Sequence, residues 1–320
     1  MPVEPATTPA LSLAVTPTAT PTATPKATPA PTSTAAAGSV VLEHPAAQAM
    51  DAHPAPSGPA PGPGVAASAA DPNAWTRQEL SDPHTHAEKA GKVRRMFAAI
   101  AGSYDLNNRV HSLGLDQRWR RFAVAEAAVR AGDRVLDVAC GTGDLTQAFA
   151  ATDAAEIVGL DFTREMLELA RKKQLALPAG VAGRLRYVEG DAQRLPFEDR
   201  AFDVVSIAFG IRNVENPKTA LREFARVLRP GGRLVILEFD QPRNPLVRWF
   251  NSIYCRGIMP RTATWISGDK SGAYRYLPAS VETFLARETL LGALREEGFS
   301  HGKASPLSLG ICVCYRAVRV

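Results

Sequence analysis

Arg134-Val135-Leu136-Asp137-Val138-Ala139-Cys140-Gly141-Thr142-Gly143-Asp144 is the stretch whose reading decides the fold of this chain. Val135–Val138 is short, rich in β-branched residues and charged only at Asp137, the pattern of a strand buried on both faces. The glycines that follow let the backbone turn tightly and approach a ligand, because they carry no Cβ. Leu145-Thr146-Gln147-Ala148-Phe149-Ala150 then has helical spacing. Two familiar ligand loops are excluded. No Lys follows the glycines, so this is not a P-loop, and Gly141-Thr142-Gly143 is too short for the G-x-G-x-x-G of dinucleotide enzymes.

Outward from this unit the chain alternates strand and helix. Glu156–Asp161 is a second buried strand ending in an acid, 18 residues beyond Gly143, where doubly wound nucleotide folds place the carboxylate that receives ribose hydroxyls. Thr163 is available to cap the helix Arg164–Gln174, which leaves Asp161 free for a ligand. Leu185–Ala192 gives a third strand with its tip, Phe202–Gly210 a fourth, and Arg233–Phe239 a fifth. A helix over Pro217–Leu228 stops at Arg229-Pro230-Gly231-Gly232. A helix over Val281–Glu297 and strands near 300–305 and 309–319 close the chain. The expectation is an α/β fold: a doubly wound, mostly parallel seven-stranded sheet with an antiparallel last strand. Ahead of it, residues 88–130 form overlying helices, with Asp116 as N-cap of Gln117–Val129.

Composition divides the 320 residues unevenly. Residues 1–75 hold 15 of the 25 prolines, no Arg and one Lys against four acids, a net charge of −3. Such a Pro/Ala/Thr-rich tail cannot bury a core and is expected to be disordered, without the apolar h-region of a secretory signal. Residues 76–320 carry 36 basic and 28 acidic groups, a net +8, compatible with nucleic acid or an anionic membrane surface. The four cysteines form neither a CxxC pair nor a cluster with His, so no metal site is expected and a reducing cytoplasm fits. No apolar run reaches the ~20 residues of a membrane span. Residues 242–278 interrupt the alternation with Trp249, Phe250, Ile253, Tyr254, Ile258, Met259 and Trp265.

The strand–D-x-x-C-G-T-G–helix unit resembles the first motif of class I S-adenosylmethionine-dependent methyltransferases. Five further stretches narrow the likeness: Lys92-Val93 through Tyr104-Asp105-Leu106-Asn107-Asn108 to Trp119-Arg120, Asp191–Phe197, Ile207–Val214, Val227–Arg233 and Tyr274–Val281. In order and spacing, from about residue 89 to 320, they resemble the demethylmenaquinone and ubiquinone-biosynthesis C-methyltransferases. Three positions depart from the family pattern: Asp116 where His is common, Asn107 where Met is expected, and Leu307-Ser308-Leu309-Gly310-Ile311 in place of a Thr-Gly-Gly run.

That resemblance implies S-adenosylmethionine as cofactor and a prenylated quinol as substrate, demethylmenaquinol first. It implies that Gly141, Thr142 and Gly143 lie under the methionine end of the cofactor, with Asp137 near its amino group. Asp161 would take the ribose, Asp191 and Ala192 the adenine, with Phe162 and Ala208 beside them and Leu195-Pro196-Phe197 closing over the ring. Carbon methylation needs a quinol hydroxyl to lose its proton, and a phenol of pKa ~10 is mostly protonated at neutral pH. A base or a cation is therefore sought. Arg212 and Asn213, beyond the carboxyl end of strand four, are placed facing the ring, and Tyr104 and His111 are base or positioning candidates from the overlying helices. The aromatic insertion suits a prenyl tail, a peripheral contact with the inner face of the membrane, or a homodimer contact. A nucleic-acid base methyltransferase is one rival reading, but it commonly carries an Asn- or Asp-Pro-Pro-aromatic motif after strand four, where this chain has Phe209-Gly210-Ile211-Arg212. Another small-molecule methyltransferase on the same fold is the stronger rival, because fold alone does not fix substrate.

Overall fold

A computed structural model describes residues 74–85, 88–269 and 271–320. The expected tail of residues 1–75 lies outside them, except at its end. Trp75, assigned to the tail by composition, is buried, stacks on Tyr276 at 4.6 Å between centroids and donates its backbone N–H to the Ser271 carbonyl.

Two helices precede the sheet. Helix α1 (Lys89–His111) runs 23 residues, and α2 (Leu115–Ala127) follows a left-handed turn at Leu113 and Gly114. The N-cap of α2 is Gly114, not Asp116. Asp116 sits inside the first turn, buried, accepting from the Ser112 hydroxyl and the Gln117 amide. The sheet then begins with β1 (Arg134–Val138), α3 (Asp144–Phe149), β2 (Glu156–Asp161), α4 (Arg164–Gln174), the single turn α5 (Ala179–Ala182) and β3 (Leu185–Glu189). It continues with β4 (Phe202–Ala208), α6 (Pro217–Val227) and β5 (Leu228–Phe239). Helix α6 starts where its pattern allows: Pro217 stands in the first turn and the Asn216 side chain caps the Thr219 N–H at 3.1 Å.

The insertion becomes α7 (Pro245–Ile253), a π-helical turn and α8 (Met259–Ser267). One difference from expectation follows it. The single helix expected over Val281–Glu297 is two, α9 (Ala273–Glu282) and α10 (Arg287–Glu296). Strands β6 (Phe299–Leu307) and β7 (Cys312–Arg319) end the chain.

The seven strands lie in the order β3-β2-β1-β4-β5-β7-β6, parallel from β3 to β5, with β7 antiparallel to both neighbours. This is the doubly wound, mostly parallel sheet expected. Burial on both faces explains the unbroken apolar runs: Val135, Leu136, Val138, Ile157, Val158, Leu160, Val204, Val205 and Ile207 are all buried. Successive strands fall on opposite sides of β1, so the crevice between β1 and β4 opens at their carboxyl ends. The glycine loop lies there.

Candidate functional site

A cleft holding about 720 Å³ of empty space, its open side included, lies over these strand ends. Of the residues expected at a cofactor, Gly141, Asp161, Phe162, Asp191, Ala192 and Ala208 border it. Gly141 is left-handed (φ 55°), and a Cβ built there would meet nothing within 4 Å, so the loop presents open backbone to the cleft. Gly143, also left-handed (φ 84°), faces away: a Cβ there would stand 2.5 Å from the Tyr187 hydroxyl. Its role is to let the loop pass over β2 and β3.

The two acids of β1 and β2 divide the work. Asp137 is buried, and both its oxygens are occupied, one by Thr146 Oγ1 at 2.7 Å and the other by Ser206 Oγ at 2.8 Å. Burial pushes its carboxyl up to about 6. Rather than bordering the cleft as expected, it fastens α3 and β4 beneath the loop. Asp161 does border the cleft, but it is not free as the capping argument implied. It accepts the Gly141 N–H and the Thr163 N–H, both at 2.8 Å, while the Thr163 hydroxyl caps nothing. Each carboxylate oxygen keeps a second lone pair, enough for a vicinal diol.

Thr142 is turned out of the cleft. Its hydroxyl donates to Asp105 of α1 at 2.6 Å, and Lys173 of α4 donates to Thr142, Asp105 and Asp144. This network straps the first helix down onto the loop. Asp191 is exposed at the lip of the cleft and takes the Gln193 N–H at 2.9 Å. The Leu195-Pro196-Phe197 lid departs from expectation. Leu195 belongs to the core, and Phe197 packs edge-on against Phe202 at 5.0 Å, away from the cleft.

The opposite wall is formed by Phe97 and Tyr104 of α1, by Phe209, and by Asn213, Val214 and Glu215 after β4. Tyr104 therefore borders the site, and burial pushes its phenol up, so it stays protonated at neutral pH. Asn213 is fixed from two sides, donating to the Phe209 carbonyl at 3.2 Å and accepting from Tyr276 Oη at 3.0 Å.

Two expected residues are spent elsewhere. Arg212 is 4% exposed and donates to Glu238 Oε1 at 2.5 Å, to the Phe209 carbonyl at 2.8 Å and to Ser280 Oγ at 3.2 Å. It bolts the turn after β4 to β5 and does not border the cleft. His111 joins the Asn107 carbonyl through Nδ1 and Thr262 Oγ1 through Nε2, both at 2.8 Å, which ties α1 to α8. Among residues that were not anticipated, Lys89 is buried and donates to the carbonyls of Arg212 (2.9 Å) and Val214 (2.6 Å), on either side of Asn213. Burial, helped by the nearby Arg212 charge, brings its ammonium down to about 8. Nothing local in the sequence marks Lys89 or Glu238 for these contacts, since Arg212 lies 123 residues from Lys89 and 26 from Glu238. Phe97 lies inside one quoted stretch, where its helical spacing marks only an apolar face, and Glu215 directly follows another.

Among the described residues, no cluster of His, Cys, Asp or Glu could hold a metal ion, and no helix is long and apolar enough to cross a membrane. The cleft offers an open glycine backbone, a buried carboxylate with room for two hydroxyls, a carboxylate at its lip and apolar walls from Leu160, Phe162, Met166 and Ala192. Those features fit a nucleoside with an amino-acid arm, such as S-adenosylmethionine.

Comparison with known proteins bears on the same residues. The ubiE/COQ5 methyltransferase family matches residues 85–319. A ubiquinone/menaquinone biosynthesis C-methyltransferase UbiE of Ectopseudomonas mendocina is 40% identical over 259 residues, covering 78% of this chain and 99% of that protein. Its namesake from Syntrophotalea carbinolica is 45% identical over 71% of this chain and 94% of its own length. Among solved structures, an S-adenosylmethionine-dependent methyltransferase from Thermotoga maritima, described as a possible histamine N-methyltransferase, superposes with a TM-score of 0.50. It is 20% identical, covers 71% of this chain and 100% of its own, and shares the fold.

Proposed function

This chain belongs to the ubiE/COQ5 methyltransferase family, whose cofactor is S-adenosylmethionine, and we propose that it methylates a ring carbon of a prenylated quinol, demethylmenaquinol in the first place. The observation that carries this reading is the pairing of the family match with the cleft, which sets a cofactor-like floor against an aromatic and amide wall. The benzoquinol of the ubiquinone pathway is the second reading, because the relatives' names give both pathways.

The cofactor supplies a methyl group on a sulfonium, a strong electrophile. Gly141, Asp161, Phe162, Asp191, Ala192 and Ala208 would hold it, with the methyl directed at the opposite wall. The protein then contributes chiefly alignment, worth up to ~7–11 kcal/mol when two reactants are held in line. Phe97, Tyr104 and Asn213 would orient the quinol ring. Tyr104, still protonated, would donate to a ring oxygen as that oxygen gains charge. The reacting ring carbon takes the methyl, the C–S electron pair returns to sulfur, and the displaced ring proton leaves.

The test is incubation of the purified protein with S-adenosylmethionine and, separately, reduced demethylmenaquinone and the reduced ubiquinone-pathway precursor, followed by mass spectrometry. Methylated naphthoquinol formed at the higher kcat/KM supports the reading. Preference for the benzoquinol moves the enzyme to the other pathway, and no product from either removes the proposal.

A prenylated substrate lives in lipid, and the insertion supports peripheral contact with an anionic membrane. Helices α7 and α8 and the π-helical turn between them expose Leu246, Trp249, Phe250, Ile253, Ile258 and Trp265. Residues 241–268 contain four Arg and no acid. Arg243 and Arg256 are engaged by Glu288 and Glu282, leaving Arg248 and Arg261 without a carboxylate partner among the described residues. Trp249→Glu should lower the fraction that floats with anionic liposomes several-fold, and an unchanged fraction removes the contact.

A further inference from the structure

Arg212, the expected cation, is held in the interior by Glu238. A second buried guanidinium stands close by. Arg120, on α2, is 6% exposed, and its Cζ lies 5.2 Å from the ring centroid of Phe209, which borders the cleft. Two carboxylates stand at the outer edge of ion pairing with it, Asp116 Oδ2 at 4.0 Å and Asp144 Oδ2 at 3.9 Å, both measured to Nε. Asp144 is instead bonded to Lys173 and Gln117, with Arg109 at 3.6 Å, and Asp116 to Ser112 and Gln117. Among the described residues Arg120 makes no hydrogen bond, and its buried Nε has no hydrogen-bond partner.

Leaving a buried guanidinium donor unmet is costly, and such groups are rare unless something else meets them. Arg120 has five donors and no acceptor, so what it lacks is a hydrogen-bond acceptor, and an oxygen carrying negative charge makes the strongest one. Nε is the nitrogen nearest both carboxylates, and the guanidinium carbon lies over the ring of Phe209, a residue of the cleft wall. From α1, Tyr104 borders the same space, and the Arg120 charge draws its phenol down against the larger effect of burial. From β1, Asp137 feels that charge as well, but its oxygens are already taken by Thr146 and Ser206.

We propose that Arg120 is the catalytic cation that binds and stabilises the ionised ring oxygen of the quinol during methyl transfer. The inference rests on the reading of the substrate as a quinol. In the balanced step, a ring hydroxyl gives its proton to solvent and the oxygen sits against Arg120. The neighbouring ring carbon forms a bond to the methyl as the S–C bond breaks, with that pair going to sulfur. The proton on the methylated carbon is then lost and the oxygen is reprotonated. One proton is released per turnover.

The experiment compares wild type with Arg120→Met and Arg120→Lys. Calorimetry with S-adenosylhomocysteine, the demethylated by-product, should give Kd values within twofold for all three, showing that the fold and the cofactor floor are intact. At pH 7, kcat for the quinol should fall roughly 100- to 1000-fold in Arg120→Met, the loss typical of a single oxyanion donor. Arg120→Lys should recover part of it, and the deficit should shrink as pH approaches the ionisation of the free hydroxyl. A second readout needs no turnover. With 1-naphthol as probe, absorbance titration in the presence of wild type should show ionisation at lower pH than with Arg120→Met.

Arg120→Met within threefold of the wild-type kcat, a deficit equal at every pH, or identical naphthol midpoints would each overturn the inference. If wild type transfers no methyl to any quinol, the substrate reading fails, and the naphthol titration still judges Arg120 alone. If Arg120→Met fails to fold, the Arg120→Lys profile and midpoint decide.

Discussion

The two walls of the cleft are built differently. The floor, at the ends of β1 and β2, comes from neighbours in sequence: Gly141 hydrogen-bonds to Asp161 twenty residues away, and Asp161 to Thr163 two residues away. The roof is assembled from remote pieces: Phe97 and Tyr104 from α1 and Asn213 after β4, with Tyr276 from α9 holding Asn213 and Glu238 from β5 holding Arg212 behind it. A floor of local motifs can be laid by any chain that turns correctly after a buried strand. A roof of this kind exists only once the whole sheet has closed, and so it is the part that can be specialised for one substrate.

That contrast can be broken from either side. The largest effect is expected in the roof. Glu238→Leu leaves the Arg212 guanidinium buried without its partner and should destabilise the protein by about 3–5 kcal/mol, read as a fall in the calorimetric melting temperature. The double variant Arg212→Met/Glu238→Leu should regain much of it. A single variant that melts like wild type would mean that the bolt holds nothing.

Next comes the floor. Gly143→Val places a β-branched residue in a left-handed conformation, with its Cβ against the Tyr187 hydroxyl. Strain of a few kcal/mol there should weaken S-adenosylhomocysteine binding by about 100-fold in calorimetry, with a smaller change in melting temperature. Unchanged affinity would detach the loop from cofactor binding.

The smallest effect is a pH dependence under the floor. Asp137 titrates at about 6 when folded and near 3.8 when unfolded. Below about pH 4 both states hold the proton. Between about 4 and 6 the unfolded chain has released it and the folded chain has not, so the native state binds more protons and stability falls as pH rises. Above about 6 this contribution levels off. Melting curves of Asp137→Asn should lack this component of the fall between pH 4 and 6, and parallel curves for the two proteins would contradict it.

The strands, their parallel order and the glycine loop were all legible along the chain, because period, burial on both faces and turn residues act over a few positions. The family motifs were legible for the same reason. Where Arg212, Asp137 and His111 have other partners than expected, a competitor lies on another element of the fold. Arg212 sits beyond a strand end where ligands bind, yet Glu238, 26 residues later, claims it. Asp137 looked available until Thr146 and Ser206 closed on it. His111 was taken up by Thr262 on the insertion. A polar group's partner is chosen by distance in space, and burial makes that choice costly to leave unmet. Residue type and spacing therefore settle which elements form and where a ligand can lie, whereas closure of the sheet decides which charges remain to meet it.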